Sequence, residues 1–69
     1  MLKIIQITTE YITLGQFLKY CGIIRNGSMA KDYLNSHKVY VNGELEQRRG
    51  RKLYKDYLIS IDEKEFKVE

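Results

Sequence analysis

The stretch K-V-Y-V-N-G-E-L-E-Q-R-R-G-R-K, residues 38–52, carries two different instructions. Val39 and Val41 alternate with Tyr40, Asn42-Gly43 breaks the run, and Glu44-Leu45-Glu46 follows. Asn and Gly both tolerate the positive φ of a type I′ turn, so the first part specifies a tight β-hairpin. The second part places Arg48, Arg49, Arg51 and Lys52 within five positions, interrupted only by Gly50. Like charges packed so closely repel one another, so this run needs a reason beyond folding.

Outward from the hairpin, the chain alternates short elements. Leu2 to Ile7 is rich in β-branched residues and reads as a strand. Thr13 with Gln16 three positions on fits a capping box, and Ile12 with Phe17 fits a hydrophobic staple. Leu14, Phe17, Leu18 and Cys21 recur at helical spacing, and Gly22 suits a left-handed helix stop. Asn26-Gly27-Ser28 offers two N-caps for a second helix with Met29, Ala30, Tyr33 and Leu34 on its apolar face, ending at Asn35 or Ser36. After the hairpin, strands are expected at Lys52–Tyr54, Tyr57–Ile61 and Phe66–Val68, with turns at Lys55-Asp56 and Asp62 to Lys64. Helices of two to three turns are unstable alone, so they must pack on each other and on the sheet. The expected class is α+β: two short packed helices against a small, mainly antiparallel sheet, forming one domain over residues 1–69.

Bulk composition narrows the function. With 69 residues, 43% hydrophobic and 30% charged, the chain is apolar enough to fold but too short for a deep catalytic cleft. One cysteine and one histidine supply neither a disulfide nor a structural zinc site, and no cofactor or metal is expected. No run approaches the roughly 20 apolar residues of a membrane span, and no secretion signal opens the chain, so a cytoplasmic location is expected. Net charge is +3, but it is unevenly distributed. Residues 19–55 carry nine Lys or Arg against three acids, while the two ends carry three against six. A merely solubilising surface does not need that segregation.

The arginine run has a bland reading as a solvated loop. Against it, Gly50 allows the loop backbone to approach something closely, and Arg25, Lys31, His37 and Lys38 sit at junctions that a compact helix pair and hairpin bring near. Guanidinium groups bind phosphate in bidentate fashion and stack on bases, so the pattern favours RNA. Tyr40 should point outward beside the loop, where its ring can stack on a base. The other tyrosines are expected to be half-buried packing residues, and Cys21 a core residue. No paired base and nucleophile, and no carboxylate pair, points to an enzyme.

With these residues in hand, the chain from Thr13 to Ile61 resembles the S-four (S4) RNA-binding domain, named for the fourth protein of the small ribosomal subunit. The resemblance lies in L-x-x-F-L-K-x-x-G-I at Leu14 to Ile23, N-G-S-x-A-K at Asn26 to Lys31, H-K-V-Y-V-N-G-E at His37 to Glu44, and the strand Y-L-I-S-I. It implies the family's αL-like motif, a small free-standing bacterial member, and a basic surface offered to structured RNA. Carried over by position, it implies RNA contacts at Arg25, Asn26, Ser28 and Lys31, at His37 and Lys38, and at Arg48, Arg49, Arg51 and Lys52. Where many members have Arg and Glu, this chain has Gly27 and Met29, so charge shifts toward the R-R-G-R-K loop. The expectation is a monomeric, non-catalytic binder of ribosomal RNA or ribosomal particles, with a protein-docking adaptor for acidic surfaces and a double-stranded DNA binder as alternatives. About five cations on phosphates correspond to a slope of roughly −3.5 in log affinity against log salt on single strands. On this reading the four basic loop residues are a displayed patch, dispensable for folding.

Overall fold

A computed structural model describes residues 2–69. In chain order the elements are β1 (Leu2–Ile5), β2 (Tyr11–Thr13), α1 (Leu14–Tyr20), a 3₁₀ turn (Gly27–Met29), α2 (Ala30–Ser36), β3 (Val39–Val41), β4 (Glu44–Leu45), β5 (Lys52–Tyr54), β6 (Leu58–Ile61) and β7 (Lys64–Val68). Five strands form one sheet in the order β1-β7-β6-β3-β4, and β2 pairs with β5 in a separate two-stranded ribbon. Only the β1–β7 pair is parallel, so the architecture is the expected mainly antiparallel α+β arrangement.

Local chemistry accounts for the boundaries. Thr13 caps α1 by accepting from the Gln16 N–H, while the Gln16 side chain accepts from the Thr13 N–H, completing the capping box. At the other end Gly22 adopts φ +77°, its N–H donates to Lys19, and the Ile23 N–H donates back to Leu18. Those two bonds make a Schellman motif, which satisfies carbonyls the helix would otherwise leave open. The hairpin turn has positive φ at both Asn42 (52°) and Gly43 (86°), as its sequence requires. Asn42 also accepts from the Leu58 N–H through its side chain, tying the turn to β6.

The core lies between the helices and the inner face of the sheet. Leu14, Phe17 and Leu18 of α1 and Ala30 and Leu34 of α2 are fully buried against Val39, Val41, Ile59, Ile61 and Val68. Phe17 meets Phe66 edge to face at 5.4 Å, joining helix to sheet. Met29, expected on the apolar face, is instead exposed, because the 3₁₀ turn rotates it away before α2 begins.

Three boundaries and one strand differ from the sequence reading. β1 ends at Ile5, β6 begins at Leu58, and β7 begins at Lys64. Strand β2 was not expected at all, since Tyr11–Thr13 precedes a strong helix signal and is only three residues long. It exists because β5 pairs with it, Ile12 facing Leu53 across the ribbon.

Replacing Thr13 by Ala removes half of the capping box and should lower the unfolding free energy by about 1 kcal/mol. Urea denaturation followed by far-ultraviolet circular dichroism reads this; an unchanged midpoint would mean that the cap is redundant.

Candidate nucleic-acid interface

A two-residue turn sets the register Val41↔Glu44 and Tyr40↔Leu45. The next position continues the pattern, with the Glu46 N–H donating to Val39. Glu46 therefore follows the inward side of the hairpin, while Leu45 points out and is 51% exposed. Burying a carboxylate without partners is costly, and this one is fully partnered. Oε2 accepts from the backbone N–H groups of Gln47 (3.2 Å) and Arg48 (3.1 Å) and from Arg48 Nε (2.9 Å). Oε1 accepts from Arg48 Nη2 (3.1 Å) and Arg51 Nη1 (2.8 Å).

The side-on Arg48 guanidinium, reinforced by Arg51, pulls the Glu46 carboxyl down to about 2 despite burial. Both arginines are held more firmly protonated in return. Thus Arg48 and Arg51 bind the loop together rather than standing as free charges. Because their donors hold Glu46, a substitution that removes all four basic residues would strand a buried carboxylate. The expectation that the cluster is dispensable for folding is corrected accordingly.

The loop backbone is anchored as well. Arg51 O accepts from the Leu14 N–H and Arg49 O from the Gly15 N–H, both at 2.8 Å. Together with the Thr13 cap, they satisfy the first three N–H groups of α1, at the end where the helix dipole favours oxygen acceptors. Gly15 makes this approach possible. A Cβ there would lie 3.4 Å from Arg49 O and 3.5 Å from the Cβ atoms of both Arg49 and Ala30. Close contact thus occurs at Gly15, and not at Gly50, where a Cβ would meet nothing within 4 Å.

Arg49 and the first residue of α2 consequently flank the same glycine. That junction gathers Arg49 and the exposed segment leading into α2, which holds Arg25, Asn26 and Ser28, with Lys31 one residue beyond Ala30. Ser28 Oγ donates to Asn26 Oδ1, ordering the segment. Arg25, Lys31, Lys38, Arg49 and Lys52 make no ion pair among the described residues.

His37 and Lys38 fall at the other end of α2, about 10 Å along it at 1.5 Å per residue. They line a depression with Tyr40, Asp62, Glu63 and Lys64, and the His37 ring stacks on Tyr33 at 4.0 Å. The structure therefore separates His37 and Lys38 from the arginine loop and gives them acidic neighbours. Tyr40 lines this depression, whereas the one beside the loop is lined by Tyr54 and Tyr57.

Other tyrosines flank the loop instead. Tyr54 and Tyr57 line a shallow depression with Arg48, Gly50, Arg51 and Lys52. Lys52 Nζ lies 4.9 Å over the Tyr11 ring. Sequence reasoning passed over these rings and Glu46. The signals were present: two outward positions of one strand for Lys52 and Tyr54, and a register count from Asn42-Gly43 for Glu46. Burial raises the Cys21 thiol to about 11, leaving it protonated and a poor nucleophile at neutral pH.

The model of the S4 domain family matches residues 5–69. A relative from Bacillus subtilis (strain 168), described as a probable ribosome maturation protein RlbA, is 53% identical over 58 residues, covering 84% of this chain and 82% of that protein.

Glu46→Gln removes the charge that Arg48 and Arg51 surround and should destabilise the fold by about 2 kcal/mol at pH 7. A carboxylate whose pKa is lowered on folding stabilises above its unfolded value, and that contribution fades as pH falls from about 4.5 to about 2. Denaturation at several pH values should show the gap between wild type and E46Q closing across that window; a gap constant with pH would contradict the ion-pair assignment. At pH 7 the Arg48→Ala/Arg51→Ala pair should likewise destabilise, whereas Arg49→Ala/Lys52→Ala should stay within about 0.5 kcal/mol of wild type.

Proposed function

The chain belongs to the S4 domain family, and we propose that it is a non-catalytic RNA-binding protein acting on ribosomal RNA or ribosomal particles, as a monomer in the cytoplasm. One observation carries the reading: a cationic loop docked on the N-terminal turn of α1 beside the start of α2, with Arg49 and Lys52 lacking internal acidic partners. The similarity to a probable ribosome maturation protein supports the choice of ribosomal RNA.

Arg49, Lys52, Arg25 and Lys31 neutralise phosphates, while Asn26 and Ser28 offer hydrogen bonds near the start of α2. Binding is fast to form and salt-sensitive, since neutralised phosphates release counterions. So small a surface reads the shape of a folded RNA more than a long sequence. Arg48 and Arg51, already committed to Glu46, add less to phosphate binding than their number implies. His37, Lys38 and Tyr40, beside Asp62 and Glu63, form a secondary edge of the contact.

Four phosphate contacts give a slope of about −3 in log affinity against log salt on single-stranded or loop RNA. Arg49→Ala/Lys52→Ala should weaken binding at least tenfold near 0.1 M salt, read by fluorescence anisotropy with a labelled RNA hairpin. Salt-insensitive binding, or preference for a matched DNA duplex, contradicts the reading. Partners that survive ribonuclease treatment in a pull-down would favour a protein-docking adaptor.

A further inference from the structure

Tyr11 and Tyr54 stand on the outward face of the β2–β5 ribbon, and Tyr57, which also packs against the core, lies beside them. Leu53 is fully buried and Ile12 packs against the core, so the ribbon is already anchored on its inner side. On the outer side register sets Tyr11 opposite Tyr54 and Thr13 opposite Lys52. Ring centroids are 5.7 Å apart for Tyr11–Tyr54 and again for Tyr54–Tyr57. The two outer rings each have a cation above them: Lys52 Nζ at 4.9 Å from Tyr11, and the Arg51 guanidinium carbon at 6.0 Å from Tyr57. The central ring, Tyr54, has none among the described residues and is 36% exposed.

Tyr54, Tyr57, Arg48, Gly50, Arg51 and Lys52 together line a depression of about 480 Å³. Gly50 adds no side chain to that lining, and a Cβ there would meet open space. Arg51 is fixed by Glu46 at 2.8 Å, whereas Arg48 keeps 75% of its side chain exposed while bonded to the same carboxylate. An aromatic face next to cations on an ordered loop matches a ligand that combines a flat π-system with a phosphate.

The geometry points to this depression as the seat of one unpaired RNA nucleotide, its base stacked on Tyr54 and its phosphates met by Lys52 and Arg48. The assignment rests on the RNA-binding reading above and adds a site for a bulged or looped-out residue. Purines, with the larger face, are held better than pyrimidines. Aromatic stacking is sequence-tolerant and releases no counterions, so the Tyr54 stack adds affinity without steepening the salt dependence, which the phosphate contacts set.

The test uses the full chain and three RNA stems: one with a bulged adenosine, one with an abasic ribose in the bulge, and one fully paired. Wild type should bind the adenosine bulge about tenfold more tightly than the abasic bulge. Tyr54→Ala should erase that difference with an unchanged salt slope, and Tyr54→Phe should restore it, because the ring face and not the hydroxyl makes the contact. Equal wild-type affinity for the adenosine and abasic bulges, with binding still salt-dependent and weakened by Arg49→Ala/Lys52→Ala, overturns the nucleotide seat while leaving RNA binding intact. Absence of wild-type binding to all three stems overturns both. The wild-type comparison needs no variant, so it stands even where Tyr54→Ala fails to fold.

Discussion

A carboxylate buried in a protein of this size keeps its charge only if donors surround it, and Glu46 meets that condition with five hydrogen bonds from its own loop. Much of the proposed binding face follows from that requirement. Closing Arg48 and Arg51 around one carboxylate curls residues 46–51 back on themselves. The curl turns the carbonyls of Arg49 and Arg51 toward α1, where they satisfy N–H groups the helix cannot satisfy alone. Loop, helix cap and helix crossing then meet at Gly15, the residue small enough to let them.

Pairing also reconciles the repulsion within the cationic run with its persistence. Four positive charges in five positions are tolerable when one internal carboxylate, paired with two of them, cancels one charge and solvent screens the rest. Arg49 remains on the surface next to the start of α2, whose segment adds Arg25 and Lys31, and Lys52 stands exposed on β5 opposite Thr13. The basic surface is therefore concentrated at the N-terminal ends of the two helices, and it is poorer at the far end of α2, where Asp62 and Glu63 accompany His37 and Lys38. A polyanion approaching this face meets fixed backbone and partly ordered side chains, which lowers the conformational entropy lost on binding.

Much of the fold was legible in the sequence because its signals are local. Asn42-Gly43 needs positive φ at both positions, Thr13 and Gln16 cap each other, and Gly22 ends α1; each of these depends on residues within a single turn. What escaped was set by pairing across distance. Tyr11–Thr13 becomes a strand only because Lys52–Tyr54 lies beside it, about forty residues later in the chain. Tyr40 was expected beside the arginines because it points outward between Val39 and Val41; it does point outward, and it lines the depression of His37, Lys38, Asp62 and Glu63. Charge counting treated Arg48 and Arg51 as display groups, although the register of a two-residue turn already put the neighbouring acid on the inner side.

The most direct test of this account is an amide chemical-shift titration of the ¹⁵N-labelled chain with a folded ribosomal RNA hairpin. The account requires the largest changes at Arg25 to Lys31, at Arg48 to Lys52 and at Tyr54, with the outer sheet residues Leu2, Ile4 and Leu58 unmoved. Changes centred on β1 and β7, with the arginine loop silent, would show that the Glu46-organised surface is a structural feature and that RNA is bound elsewhere.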